Sequence, residues 1–258
     1  MQALIEKLVD PCDKSRVWRD GDWILSQRSS YSCATGYPNM MPEAHEIERH
    51  FGKRNYRAWR ALQVEAEASY AVRTEGHFSV DHYQPARDFG KLLARFSGEW
   101  LDVGCGKLTK PAYMKDAHSI NFFGIDPMPL TAQREFPFVQ GMGDFLPFNH
   151  ATFDGVMFAS SLDHCIVPLQ ALEEARRVLK ADGTLLVWET IRPDDEHFKE
   201  WAAAAIYFQN RYNKRHNWGF TRKSLEFVVT KAGFDILNWA ETSDPAEAVL
   251  LARPSECR

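Results

Sequence analysis

No apolar run in this 258-residue chain approaches the roughly 20 residues that a membrane-spanning helix needs. There is no C-x-x-C pair either. Cys12, Cys33, Cys105, Cys165 and Cys257 are scattered and odd in number, which argues against a disulfide framework and reads as free thiols in a reducing cytoplasm. A basic excess is missing too: the formal net charge is −4, with acids and bases interleaved, so the electrostatic footprint of a nucleic-acid binder is absent. The opening MQALIEKLVD is charged and lacks a cleavable apolar core, so it does not read as a signal peptide. Internal repeats and low-complexity tracts are lacking as well. What is present is an apolar fraction of 45%, ample for a buried core. A globular, cytoplasmic protein with no membrane partner is expected.

Patterning divides the chain into a β-rich segment over 1–42, a helical cap over 43–98 and an α/β region over 99–258. RVWRDGDWIL alternates apolar and polar residues around Asp20-Gly21, a hairpin signal, and SSYSCATGYPNMM adds a third extended piece before Pro42. Residues 43–73 read as helix, with Ile47, Phe51, Trp59, Leu62 and Tyr70 inward and a break at Gly52 or Asn55. Another helix, over 85–97, ends at Gly98. From Trp100 strands and helices alternate, which specifies a parallel sheet with crossovers. The strands are WLDVG, FFGID, FPFVQG, FDGVMFAS and TLLVWE, and FDILNWAE with AEAVLLAR forms a closing antiparallel pair. Helices are expected over 168–180, over 194–212 and after Thr221, where Ser224 holds the capping-box position without the usual Glu or Gln. The fold class is therefore α/β.

LDVGCGKLTKP sets Gly104 and Gly106 behind an apolar strand, a turn that usually opens a helix and holds a ligand. A dinucleotide site needs a third glycine where this chain has Thr109. A phosphate-cradling loop needs Ser or Thr after Gly-Lys, and Leu108 follows Lys107. Both phosphate readings fail. Asp102, two residues before the first glycine, repels a pyrophosphate but suits a ligand carrying an ammonium and a sulfonium. S-adenosyl-L-methionine is such a ligand.

On these residues the segment 100–190 resembles a class I S-adenosylmethionine-dependent methyltransferase of type 11. That family's acidic-x-G-x-G-x-G motif is met by Asp102, Gly104 and Gly106, with Leu108 in place of the last glycine. The resemblance implies a Rossmann-like, seven-stranded, mostly parallel sheet with helices on both faces, beside the small β unit and helical lid. It also implies cofactor roles at successive strand tips. GIDPMP places Asp126 and Pro127 where an acid accepts hydrogen bonds from a ribose diol. GMGDFLPF brings Asp144 to the adenine amino group, the Phe145 N–H beside it and Leu146 as an apolar wall. In FASSLDHC, Ala159, Ser160 and Leu162 neighbour the methionine end, while Asp163 and His164 face the acceptor. His82 or Tyr83 is implied as a further cofactor contact, and S-adenosyl-L-homocysteine as the product.

SYSCATGYPNMMPE is similar to the close of Trm112-like or zinc-ribbon segments, through Gly36, Pro38, Asn39 and Pro42. DPCDK and the isolated Cys33 do not provide four zinc ligands, so the segment reads as degenerate and without metal. His77, Asp81 and His82 match no standard metal spacing. Methyl transfer from a sulfonium is an in-line displacement that requires alignment and exclusion of water. A hydroxyl or amine acceptor adds the need for a base, for which His164 is the first candidate and His216 the second. Tyr212 and Trp218, in the same aromatic stretch as His216, are candidates for the acceptor-pocket wall. A magnesium mechanism needs several acids after the fourth strand, and only Asp163 is there.

Three functions fit. One is transfer to a small-molecule acceptor, such as a metabolite, sugar or secondary product. Another is modification of RNA, since GYPNMM, HYQPARD and DFLPFNHATFD are loosely similar to ribosomal RNA guanine methyltransferases. The third is a cofactor-binding scaffold without turnover. The acidic net charge weighs against RNA, and Asp102, Asp126 and Asp144 weigh against the scaffold. A small-molecule acceptor is the expected partner, and nucleic acid is not.

Overall fold

A computed structural model describes residues 2–72, 83–129, 134–193 and 217–256. The predicted helix over 194–212, together with His77, Asp81, His82, Tyr212, His216 and Cys257, lies outside them.

After the short helix α1 (Gln2–Ile5), strands β1 (Trp18–Asp20), β2 (Trp23–Leu25) and β3 (Ser30–Ser32) form an antiparallel sheet in that order. The predicted hairpin forms one residue later than expected. Asp20 pairs with Trp23, so the two-residue loop is Gly21–Asp22, with Gly21 at φ 56°. Ile24 and Tyr31 turn inward and join the same apolar cluster as Leu101 and Val156. The unit is tied by a carboxylate. Asp10, 1% exposed, takes the N–H groups of Cys12 (2.9 Å) and Asp13 (3.3 Å) on Oδ1 and the hydroxyls of Ser26 (2.7 Å) and Tyr31 (3.0 Å) on Oδ2. Asp10→Ala leaves four donors bare and is expected to lower stability by about 1.5–3 kcal/mol. An unchanged denaturation midpoint in the variant would rule out this tie.

Helices α2 (Ala44–Phe51) and α3 (Lys53–Val72) are separated at Gly52, which adopts φ 83°, and the Asn55 side chain donates to the Phe51 carbonyl at 2.8 Å. Ile47, Phe51, Trp59 and Leu62 are buried as predicted. The first three pack on Met142, Phe145, Ile166 and Val167, so this helical pair covers part of the strand-tip rim. Helix α4 (Gln84–Leu93) stops short of the predicted end and packs Phe89 and Leu93 against Trp100 and Tyr113.

The large sheet contains β4 (Gly98–Val103), β5 (Ile120–Asp126), β6 (Phe138–Gln140), β7 (Phe153–Ala159), β8 (Leu179–Thr190), β9 (Phe234–Glu241) and β10 (Glu247–Pro254). Its order is β6-β5-β4-β7-β8-β10-β9, parallel except that β10 runs against both neighbours. The chain winds from β4 outward to β6, then returns to place β7 on the other flank of β4. The crevice at that reversal is where such sheets bind ligands, at their carboxyl ends.

Helices α5 (Pro168–Val178) and α6 (Arg222–Lys231) complete the described layers. Ser224 does what its side chain was not expected to do. Its Oγ accepts the Thr221 N–H at 2.8 Å while the Thr221 hydroxyl accepts the Ser224 N–H at 3.2 Å, a full reciprocal cap. The glycine turn departs from expectation more sharply. No helix follows Gly106: the chain runs through turns to a 3-10 segment at Ala112–Met114. Pro111 lacks an N–H and biases Lys110 away from helical geometry. The upstream helix α4 covers this stretch through the Phe89–Tyr113 contact.

Candidate functional site

Four carboxylates at or near the first strand tips converge on the crevice, and each has a different task. Asp102, on β4, is fully buried; the Tyr113 hydroxyl donates to its Oδ2 at 2.7 Å, and its buried Oδ1 has no hydrogen-bond partner among the described residues. Burial pushes its pKa up to about 7, opposed by the Tyr113 bond and the Arg134 charge and reinforced by Asp126. An orphaned carboxylate oxygen in such a place is a receptor for a cation. It fits the ammonium of S-adenosylmethionine.

Asp126, at the β5 tip, accepts the Gly106 N–H at 2.8 Å and the Met128 N–H at 2.9 Å, and burial raises its pKa. These bonds lash the glycine turn to the second tip, and each oxygen keeps further acceptor capacity for a diol. Pro127, next along, gives its carbonyl to the Gln140 side chain at 2.9 Å. Arg134 lies beside both acids. It donates to the Gly106 carbonyl and sits 5.0 Å and 4.7 Å from the ring centroids of Phe136 and Phe138. Nothing in the sequence pattern marked it, because it comes from an irregular link between strands.

Gly104 takes φ 81° and Gly106 φ 65°. A Cβ on Gly104 would stand 2.5 Å from the Ser161 Cβ, and the Ser161 hydroxyl donates to the Val103 carbonyl at 2.5 Å. The tips of β4 and β7 are thus pressed together. Ser160, where β7 ends after the buried Ala159, is a non-glycine residue at φ 57°, the kind of strain that clusters at functional tips.

Asp144 and Phe145, expected at the adenine end of the cofactor, are both engaged by neighbouring protein groups. Both oxygens of Asp144 serve the start of α5, taking the Val167 N–H at 2.7 Å and the Ile166 N–H at 3.3 Å. Helix N-termini leave unpaired N–H groups and attract negative charge, and here they hold the carboxylate at the start of α5. The Phe145 N–H is engaged by the Met142 carbonyl at 3.1 Å, and its ring packs 5.4 Å from that of Phe51. Leu146 is buried core.

On the acceptor side, the 3-10 segment Leu162–His164 follows β7. The His164 side chain is 36% exposed, and its Nε2 lies 3.5 Å from Oδ1 of Asp163. Glu189, at the β8 tip, is buried; its Oε1 accepts the N–H groups of Leu162 (2.9 Å) and Asp163 (3.3 Å). Burial, and then the Asp163 charge, push Glu189 well above the usual carboxylate range. Glu247, at the start of β10, accepts the Tyr83 hydroxyl and the Trp188 indole N–H, the latter at 2.8 Å, so Tyr83 is held at the rim by protein groups. Trp218 is buried and donates to the Cys165 carbonyl at 3.1 Å, so it clamps this loop. Sequence reading missed Glu189 and Glu247. Glu189 had a signal: an acid closing the apolar run TLLVWE is placed as Asp102 and Asp126 are.

No group of three potential metal ligands occurs among the described residues, and no described helix is long and apolar enough to cross a membrane.

Two results are expected of the cofactor side. A cation at Asp102 requires the carboxylate form, so S-adenosylmethionine affinity should fall up to about tenfold per pH unit below pH 7. For the unliganded protein the sign reverses. A carboxyl whose folded pKa lies above its unfolded value destabilises most above pH 7, and that penalty fades as pH falls toward about 4. Calorimetry and thermal melts across this range test both, and a pH-independent affinity would remove Asp102 from the cation's path. Asp126→Ala should weaken cofactor binding by about 1.5–3 kcal/mol, and unchanged calorimetric affinity would take Asp126 out of the site.

Residues 101–187 match the family described as a methyltransferase domain. No curated protein matches the chain significantly. Among solved structures, the 1,6-didemethyltoxoflavin-N1-methyltransferase of Burkholderia thailandensis, with 1,6-didemethyltoxoflavin and S-adenosylhomocysteine bound, aligns with TM-score 0.56 at 15% identity, over 90% of this chain and 98% of that one. The cyclase SpnF aligns with TM-score 0.54 at 18% identity, over 83% and 97%. The PH0226 protein of Pyrococcus horikoshii aligns with TM-score 0.52 at 17% identity, over 73% and 99%. These likenesses concern the fold, which hosts more than one reaction.

Proposed function

We propose that this chain, an S-adenosylmethionine-dependent methyltransferase by its domain at 101–187, methylates a small-molecule acceptor with His164 as general base. The observation that carries the reading is the rim of acid at the strand tips. Asp102, Asp126, Asp163, Glu189 and Glu247 are each at most 7% exposed there. Carboxylates so placed disfavour a phosphate backbone and favour a neutral or cationic acceptor. The Burkholderia thailandensis protein, named for its methylation of a small heterocycle, supports the same class.

When bound, S-adenosyl-L-methionine supplies a methyl group on a sulfonium, activated for displacement. Asp102 receives the ammonium while Tyr113 fixes the rotamer of its carboxylate. Asp126 accepts from the ribose hydroxyls, and Gly104 and Gly106 allow the backbone to come close. Ala159 and Ser160 border the methionine end. His164 takes the proton from the acceptor's hydroxyl or amine. The co-product of the transfer would be S-adenosyl-L-homocysteine.

Incubation with methyl-tritiated S-adenosylmethionine, against pooled metabolites and against total RNA, tests this reading. Label is expected in the small-molecule fraction. Label confined to RNA would replace it with the RNA-modifying reading.

A further inference from the structure

Residues Leu162 to Cys165 form an irregular stretch, yet all eight of their backbone N–H and C=O groups have protein partners. The His164 and Cys165 N–H groups bond locally, to the carbonyls three residues earlier of Ser161 (3.1 Å) and Leu162 (3.2 Å). Every other bond comes from outside. From the sheet, Glu189 Oε1 takes the Leu162 and Asp163 N–H groups. From the stretch leading into α6, the N–H groups of Asn217 and Trp218 both donate to the Asp163 carbonyl at 3.1 Å. The Asn217 side-chain amide reaches the carbonyls of His164 and Cys165, each at 3.2 Å, and the Trp218 indole also serves Cys165. Surface loops usually satisfy such groups with water. Here the one partly exposed member is the His164 imidazole, carried on a frame with no unmet backbone bond.

We infer that Glu189 and Asn217 are positioning residues: from two sides they fix the loop so that the Asp163 carboxylate keeps the proton of His164 on Nε2, making Nδ1 the nitrogen that takes a proton. This rests on the reading of His164 as base. Asp163 Oδ1 lies 3.5 Å from Nε2, an ion-pair contact and not a hydrogen bond, so it is the carboxylate's nearby charge that favours the tautomer protonated there. Glu189 is buried against Asp163, and burial followed by the Asp163 charge raises its pKa, so negative charge in the pair is favoured on the member beside the imidazole. Neither positioning residue needs to touch the acceptor.

Nitrogen-15 NMR of the full chain labelled at histidine reads the tautomer directly, with His164 assigned by its absence from the His164→Ala spectrum. The parent should show one tautomer, protonated at Nε2. Asn217→Ala and Glu189→Ala should each give a mixture, whereas Glu189→Gln, which keeps an acceptor for both N–H groups, should restore the parent pattern. Affinity for S-adenosylhomocysteine should stay at the parent value in Asn217→Ala, with kcat on the acceptor identified by the label screen falling by up to about 100-fold at unchanged KM. A parent-like tautomer in both alanine variants overturns the inference. So does a joint loss of melting temperature and S-adenosylhomocysteine affinity with the tautomer intact. If His164→Ala keeps full turnover while the alanine variants scramble the tautomer, the base assignment fails and the positioning role stands.

Discussion

In the His164→Ala enzyme, turnover drops by roughly 10²–10⁴-fold, the usual contribution of general acid–base help, while cofactor affinity stays near the parent value. The split follows from where the residue stands. His164 lies on the loop after β7, whereas the acids assigned to the cofactor's cation and ribose lie on β4 and β5. Loss of the imidazole removes the proton acceptor and the Asp163 contact, but none of the backbone hydrogen bonds that hold the loop depends on that ring. Stability should therefore change little. Single-turnover kinetics on the identified acceptor, beside calorimetry, make the measurement. Full turnover in the variant ends the base proposal, and parallel losses of stability and cofactor affinity would show a structural histidine.

The second large effect belongs to Gly104→Ala, which should lower stability by about 2–5 kcal/mol and abolish measurable cofactor binding. Two penalties add. The residue sits at φ 81°, where an L side chain costs about 1–2 kcal/mol. The new Cβ would also meet the Ser161 Cβ at 2.5 Å. That neighbour is no flexible end group, since it is the first atom of a side chain bonded to Val103, so relief means parting the tips of β4 and β7. Gly36→Ala is the control: φ is 88° and nothing lies within 4 Å of the added atom, so only the backbone penalty applies. Equal losses in the two variants by denaturant titration would show that the tips do not clash.

Much of the sheet was legible in the sequence because its strands are short, apolar and punctuated. FDGVMFAS could be read as a central strand, and the closing pair was readable as two apolar stretches joined by a short polar link. Local chemistry that depends on distant partners was not legible. Asp144 matched a motif, but which N–H groups its oxygens meet is decided by α5, more than 20 residues downstream. Ser224 looked chemically wrong for a reciprocal cap, yet a hydroxyl at that distance reaches the Thr221 N–H. The missing helix after Gly106 was written in Pro111, whose force the glycine pattern overshadowed. Asn217 carried no signal at all. Its weight comes from three carbonyls of a loop more than 50 residues earlier.

The seating of the N-terminal unit sets a timetable for synthesis. The Val9 N–H bonds to the Pro147 carbonyl, Leu8 bridges to Phe148, and Asn39 bridges to Gln140. Val9 thus finds its partner only after well over a hundred further residues have been joined, a wait of roughly 7–28 s at ordinary elongation speeds. Through that interval Ile24, Tyr31 and Met40 have no sheet to lie against, since the surface that buries them does not yet exist. These side chains therefore stay uncovered until residues near 150 have been made, and slowed translation before that point should increase the demand for chaperones.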